Sequence, residues 1–182
     1  MRPTIGMTAY SDKCSDTISF SLELIDYLWG RRQQTSRDPE SGGQLFGIIN
    51  NYGIIVTTAS GPYSNDMRSS TRYQSDPLQA QKEIEQQAKR GQLYLGEWHT
   101  HCQNLPNPSH YDITAMKALV ASSSLNLRHA ILLIVGNNHI PNSFYIESFG
   151  KTDSIKWNMI GLSQNETSAK RKNFTAEEIG NA

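Results

Sequence analysis

The stretch GEWHTHCQ, residues 96 to 103, constrains this chain more than any other. It ends the apolar run QLYL and sets Glu97, His99 and His101 two residues apart. In an extended strand, residues two apart share a face, so these three project to one side and Trp98 and Thr100 to the other. Trp98 is therefore expected in the core. Two imidazoles side by side on one rigid element are how a chain offers two metal ligands. An H-x-H alone is weak evidence, because such a histidine is as readily a satisfied polar group at a strand end.

The residues after this motif add to its meaning. QNLPNPS is a loop held open by two prolines, and SHYDITAMKALVA has the pattern of a helix. Ser109 opens that helix and Asp112 lies three residues on, so one helical turn directs both back toward the strand end. S-x-x-D is an ordinary capping box. Taken alone that structural role is the better explanation, yet Asp112 can also be a third ligand, since hydrolytic zinc sites take three protein ligands and leave one position for water. H-T-H, seven residues, Ser, two residues, Asp would arise by chance in on the order of one such chain in several thousand. A metal-activated water also needs a base. Glu97 shares the histidine face, where it suits a partner orienting an imidazole N–H. Glu40 stands just before Gly42 and Gly43, whose missing side chains let a backbone or a substrate approach.

Around this motif the chain alternates helices and strands. SFSLELIDYLWGRRQ spaces Leu22, Ile25, Leu28 and Trp29 as one helical face, and TSRDPE breaks it. ESGGQLFGIINNYGIIVTTASG reads as a hairpin, GPYSNDMRSSTRYQ as a long polar loop. Ser75 or Asp76 caps a second helix with Pro77 in its first turn, ending at Gly91. QLYLGEWHTH, LRHAILLIVG and NSFYIESF read as strands, SIKWNMIGL as a short amphipathic piece. The order suggests an α+β fold with a mixed sheet flanked by helices. Residues 1–162 are expected to form one domain and 163–182 a polar, loosely held tail.

Composition narrows the function. The 17 Lys and Arg balance 17 Asp and Glu, which excludes a global field drawing the chain to nucleic acid or an anionic membrane. Cys14 and Cys102 are too few for a disulfide framework, and no apolar run approaches spanning length, so a cytoplasmic protein is expected.

E-S-G-G-Q-L-F-G at 40 to 47, L-G-E-W-H-T-H at 95 to 101 and P-S-H-Y-D at 108 to 112 closely resemble the JAMM (MPN, Mov34/PAD-1) metalloprotease family. The likeness runs over roughly residues 18 to 150 and is greatest to the bacterial branch of anti-phage CBASS operons and integrative and conjugative elements. It implies a curved mixed sheet flanked by helices, related to the cytidine deaminase architecture. It also implies one zinc ion held by His99, His101 and Asp112, with Glu40 activating the water and Ser109 supporting the tetrahedral intermediate. Glu97 remains a supporting group behind the ligands, and Asp66 and Arg68 of the polar loop are candidates for gripping a substrate tail. The activity implied is an isopeptidase that releases a cGAS-like nucleotidyltransferase joined through its C-terminus to a target, with the conjugating enzymes as further partners. A protease for a bacterial ubiquitin-like modifier, or a non-catalytic scaffold of the same family, are the alternatives. A zinc deaminase is disfavoured because H-x-E and P-C-x-x-C are absent. The chain departs from the family in having Cys102, where many members have proline.

Overall fold

A computed structural model of the chain describes residues 3–51, 53–122 and 128–161. The chain runs through β1 (Ile5–Ser11), β2 (Cys14–Ser21), α1 (Leu22–Trp29), β3 (Gly42–Asn50), β4 (Gly53–Ala59), β5 (Met67–Ser69) and β6 (Arg72–Gln74). It continues through α2 (Pro77–Lys89), β7 (Leu93–Thr100), α3 (His110–Ser122), β8 (Ala130–Val135), β9 (Phe144–Phe149) and β10 (Ser154–Gly161). The tail expected from Ser163 lies outside the described residues. No helix among them is long and apolar enough to cross a membrane.

The expected α+β class with a mixed sheet is what forms, but the sheet closes on itself. Eight strands in the order β1-β10-β9-β8-β7-β3-β4-β2 make a barrel, in which β2–β4 and β7–β8 are parallel and the other pairs antiparallel. The closing strands are those that the pattern concealed. In β1 the inward positions are Met7, Ala9 and Ser11, a small and partly polar set that reads as an unstructured opening. β10 adds Trp157 to the interior, and β5–β6 is a three-residue hairpin inside the polar loop. Closure removes the exposed sheet edges that a curved open sheet would leave.

Two clusters hold the fold. β8 reads AILLIV because both of its faces are buried. Ile131, Leu133 and Val135 join Phe20, Leu45, Trp98 and Trp157 inside the barrel, where α1 adds Leu24, Ile25 and Leu28. Ala130, Leu132 and Ile134 pack outward on Met116 and Val120 of α3. The inward face of α1 differs slightly from the spacing expected, since Leu24 is buried while Leu22 is 45% exposed.

β7 carries an irregularity that decides where its polar side chains point. Gly96 has φ +147, and a Cβ there would lie 2.0 Å from Ile131 O, so only glycine fits. Leu45 pairs with Gly96 but Phe46 with Tyr94, which leaves Leu95 as the extra residue of a bulge. Leu95 and Trp98 consequently both face the barrel, three residues apart, and Tyr94 reaches Glu97 on the outer face with a 2.5 Å hydrogen bond. From Glu97 onward the alternation expected from the sequence resumes.

Trp98 is fully buried, donates from Nε1 to Ser60 O at 2.9 Å and meets Tyr27 edge-on. Trp98→Ala should cost roughly 3–5 kcal/mol in urea unfolding, whereas Leu78→Ala, at a side chain 82% exposed, should stay within about 0.5 kcal/mol.

Candidate metal centre

The loop entering β3 and the end of β7 are tied together. Ser41 N donates to Thr100 Oγ1 and Thr100 N donates to Ser41 O, both at 2.9 Å, and Gly42 pairs with His99 in the register. Gly43 permits this strand to approach the β4 exit, since a Cβ on it would stand 2.0 Å from Ser60 O. Glu40 is thereby brought to the carboxyl end of β7. α3, the crossover between parallel β7 and β8, brings Asp112 from the other side.

There the side chains converge. His99 Nε2 and His101 Nε2 lie 3.1 Å apart. Asp112 Oδ1 is 3.4 Å from the first and Asp112 Oδ2 is 3.5 Å from the second. Glu40 Oε1 stands 3.9 Å from His101 Nε2, its side chain only 6% exposed. Ser109 and Asp112 form the reciprocal cap expected at α3: Ser109 N donates to Asp112 Oδ2 at 2.6 Å, and Asp112 N to Ser109 Oγ at 3.2 Å. Capping and convergence on the histidines are therefore compatible uses of one carboxylate.

His99, His101 and Asp112 are the one group of three metal-type side chains that converges among the described residues. Their donor set fits zinc. Two imidazoles and a carboxylate, with one ligand atom from each lying within 4.8 Å of the others, are the nitrogen and oxygen donors that a tetrahedral zinc site takes. Burial and the neighbouring His99 lower the His101 pKa, opposed by Asp112, the Asn107 backbone and the Gln103 side chain, so the neutral, ligating form is favoured. Burial would raise the Asp112 carboxyl, but hydrogen bonds from His99 and Ser109 and the charge on His99 outweigh it and hold it at about 2. Burial pushes Glu40 up to about 7, with His99 opposing and Asp112 reinforcing. One carboxylate is thus held ionised while the other is raised to near neutrality.

Three of the residues singled out in the sequence have definite partners in the fold. Glu97, expected to orient an imidazole, instead accepts from Tyr94 OH and from Gln44 Nε2 at 3.1 Å. The groups that meet the His101 ring come from the loop after it, Asn107 and Gln103. Asp66, expected to grip a substrate tail, accepts from Tyr63 N, Tyr73 OH and Asp76 N. Arg68, on the exposed β5, donates to Glu40 O and Ser41 Oγ. Tyr94 and Tyr63 lie three residues from the carboxylates they meet, but Gln44 lies 53 residues from Glu97 and Glu40 28 from Arg68, and no local pattern announced those.

Cys102 also has a definite place. Asn137 Nδ2 donates to its Sγ at 3.5 Å, and Asn137 N donates to Gln103 O at 2.8 Å. The loop after the second histidine is thus clasped from the β8–β9 turn, without the conformational restriction that proline would supply at 102. Beside the histidines runs a cleft of about 290 Å³ between Tyr73–Pro77 and the Tyr111–Leu119 face of α3. Arg72 contacts Tyr111 of this face, its guanidinium 4.6 Å from the ring and Nη2 donating to Tyr111 OH at 3.2 Å.

Glu97 gives a test of these electrostatics. Burial raises its carboxyl from the ordinary 4.5 to about 7, against the Tyr94 and Gln44 hydrogen bonds. A raised folded pKa means stabilisation that is complete below about 4.5 and lost as pH rises through about 7. Glu97→Gln cannot ionise, so in metal-free protein it should gain on the wild type by up to about 3 kcal/mol between pH 4.5 and 8 in urea unfolding. A pH-independent difference would contradict this. The Asp112 window, between its ordinary 3.8 and about 2, lies below that range.

The family model for prokaryotic homologues of the JAB domain matches residues 28–147. A protein of Escherichia coli (strain TW11681) named CD-NTase/cGAS isopeptidase is 30% identical over 135 residues, 72% of this chain and 83% of the relative. A protein of the same name from Vibrio cholerae serotype O1 is 30% identical over 130 residues, 70% of this chain and 81% of its own. The solution structure of protein DSY2949 from Desulfitobacterium hafniense superposes with a TM-score of 0.55 at 19% identity, covering 76% of this chain and 88% of that one, a likeness of fold. With the family model matched from the end of α1 to β9, across every side chain of the convergent site, the chain belongs to the prokaryotic JAB-domain family.

Proposed function

We propose that the chain is a zinc-dependent isopeptidase that hydrolyses the bond linking the C-terminus of a conjugated protein, a cGAS-like nucleotidyltransferase, to an amine of its target. The observation that carries this reading is the convergence of His99, His101 and Asp112 within 4.8 Å, with the Glu40 carboxyl beside them. The relatives named CD-NTase/cGAS isopeptidase supply the substrate class.

The ligands would be His99, His101 and Asp112. A zinc ion held by them would polarise a carbonyl and make water acidic enough to attack at neutral pH. The chain's own groups do the rest. Glu40, with a carboxyl balanced near neutrality, takes the proton of the attacking water and returns it to the departing amine. Ser109, held at the start of α3 by Asp112 N, supplies a hydroxyl to the oxygen that becomes negative in the transition state. The cleft along α3 receives the extended tail, and the products are a free C-terminal carboxylate and a free amine. The reaction belongs in the cytoplasm, where conjugating enzymes and their target meet.

The test uses a nucleotidyltransferase conjugated or fused through its C-terminus. Glu40→Gln should keep zinc and lose roughly a hundred- to ten-thousand-fold in rate, whereas Asp112→Ala should lose zinc along with activity. Cleavage that survives both a chelator and Asp112→Ala would sink the metalloprotease reading.

A further inference from the structure

Glu40 does not lie in a helix or strand. It sits on the short segment before β3, and the position of its carboxyl depends on what fixes residues 39–41. One side is held by the Ser41–Thr100 pair. The other is held by the β5–β6 hairpin, nearly thirty residues further along the chain. Glu40 N donates to Ser69 O at 2.8 Å, Arg68 Nε donates to Glu40 O at 2.5 Å, and Arg68 Nη2 donates to Ser41 Oγ at 2.8 Å and to Pro39 O at 3.4 Å.

We propose that Arg68 is a positioning residue for Glu40, the strap through which the β5–β6 hairpin sets the carboxyl against the metal ligands. The inference rests on the proposed role of Glu40 as the base. A planar guanidinium suits the task, because its fixed fork reaches three successive residues at once, which an ammonium on a flexible stem does not. The Arg68 donors go to Pro39 O, Glu40 O and Ser41 Oγ, so it acts by holding the segment that carries the carboxyl. The hairpin is itself anchored. Asp66 accepts from Tyr63 N, Tyr73 OH and Asp76 N, and Gln33 Nε2 donates to Ser70 O at 3.0 Å and to Asp38 O at 2.8 Å. The same hairpin forms one wall of the cleft through Tyr73 and Gln74. The element that borders an incoming tail is therefore the one that holds the base, and a displacement of about 1 Å at such a group costs on the order of a hundredfold in rate.

The experiment compares zinc-loaded wild type, Arg68→Ala and Arg68→Lys on the conjugated nucleotidyltransferase, and follows amide hydrogen exchange of residues 38–43 in the metal-free proteins. Arg68→Ala should lower kcat roughly ten- to a hundredfold, leave KM within about twofold and keep zinc content unchanged. Arg68→Lys, with a single donor atom, should recover part of kcat. Exchange at the Glu40 amide should quicken in Arg68→Ala. A rise in KM at unchanged kcat would overturn the proposal and mark Arg68 as a substrate contact, and unchanged exchange across 38–43 would overturn it as well. A wild type that hydrolyses nothing would defeat the isopeptidase reading alone, since the exchange measurement decides the strap independently of activity.

Discussion

Two hydrogen bonds between Ser41 and Thr100 join parts of the chain that are 59 residues apart, and the site depends on them. They continue the β3–β7 ladder past its last regular pair, so the segment carrying Glu40 stays in register beside the strand end that carries the histidines. Thr100 is able to serve because it faces inward, fully buried, while its neighbours His99 and His101 face out. That division follows from the Gly96 bulge, which resets the alternation one turn of pleat earlier. A single glycine whose conformation other residues resist thus determines which β7 side chains meet the core and which meet the cleft.

The three acidic groups of this region illustrate how environment assigns roles to identical chemistry. Asp112 accepts from the Ser109 backbone and faces two imidazoles, and it is held ionised. Glu40 is enclosed without a donor of comparable strength, so burial dominates and its proton is held near neutral pH. Burial raises the Glu97 carboxyl as well, and its two hydrogen bonds tie it to Tyr94 and Gln44, which extends the polar layer to Ser60 and Tyr63. The first environment keeps a carboxylate charged, as the proposed ligand role requires, the second holds a carboxyl near neutrality, as the proposed base requires, and the third ties Glu97 into the polar layer behind the strand.

Much of this was legible in the sequence wherever a local pattern carries the information. The three helices, the β3–β4 hairpin, and strands β7 to β9 follow from periodicity and from caps such as Asp76 before Pro77. The convergence of His99, His101 and Asp112 follows from strand alternation and one helical turn. Barrel closure was hidden, because β1 fills its inward positions with Met7, Ala9 and Ser11, and β2 is flanked by polar residues. Several partners of Glu97, Asp66 and Arg68 were hidden for another reason: Gln44, Asp76 and the Glu40–Ser41 segment are brought to them by the fold and not by any local pattern. Hydrogen-bond demand inside a folded chain is a tertiary quantity, and composition does not express it.

The most direct measurement is zinc K-edge X-ray absorption on protein loaded with one equivalent of zinc. If His99, His101 and Asp112 hold the ion, the spectrum should show two imidazoles and only nitrogen and oxygen neighbours at about 2.0–2.2 Å. Cys102 bonds to Asn137 rather than turning toward the histidines, so no sulfur should be present. A sulfur neighbour at about 2.3 Å, or fewer than two imidazoles, would contradict the assignment of the metal centre.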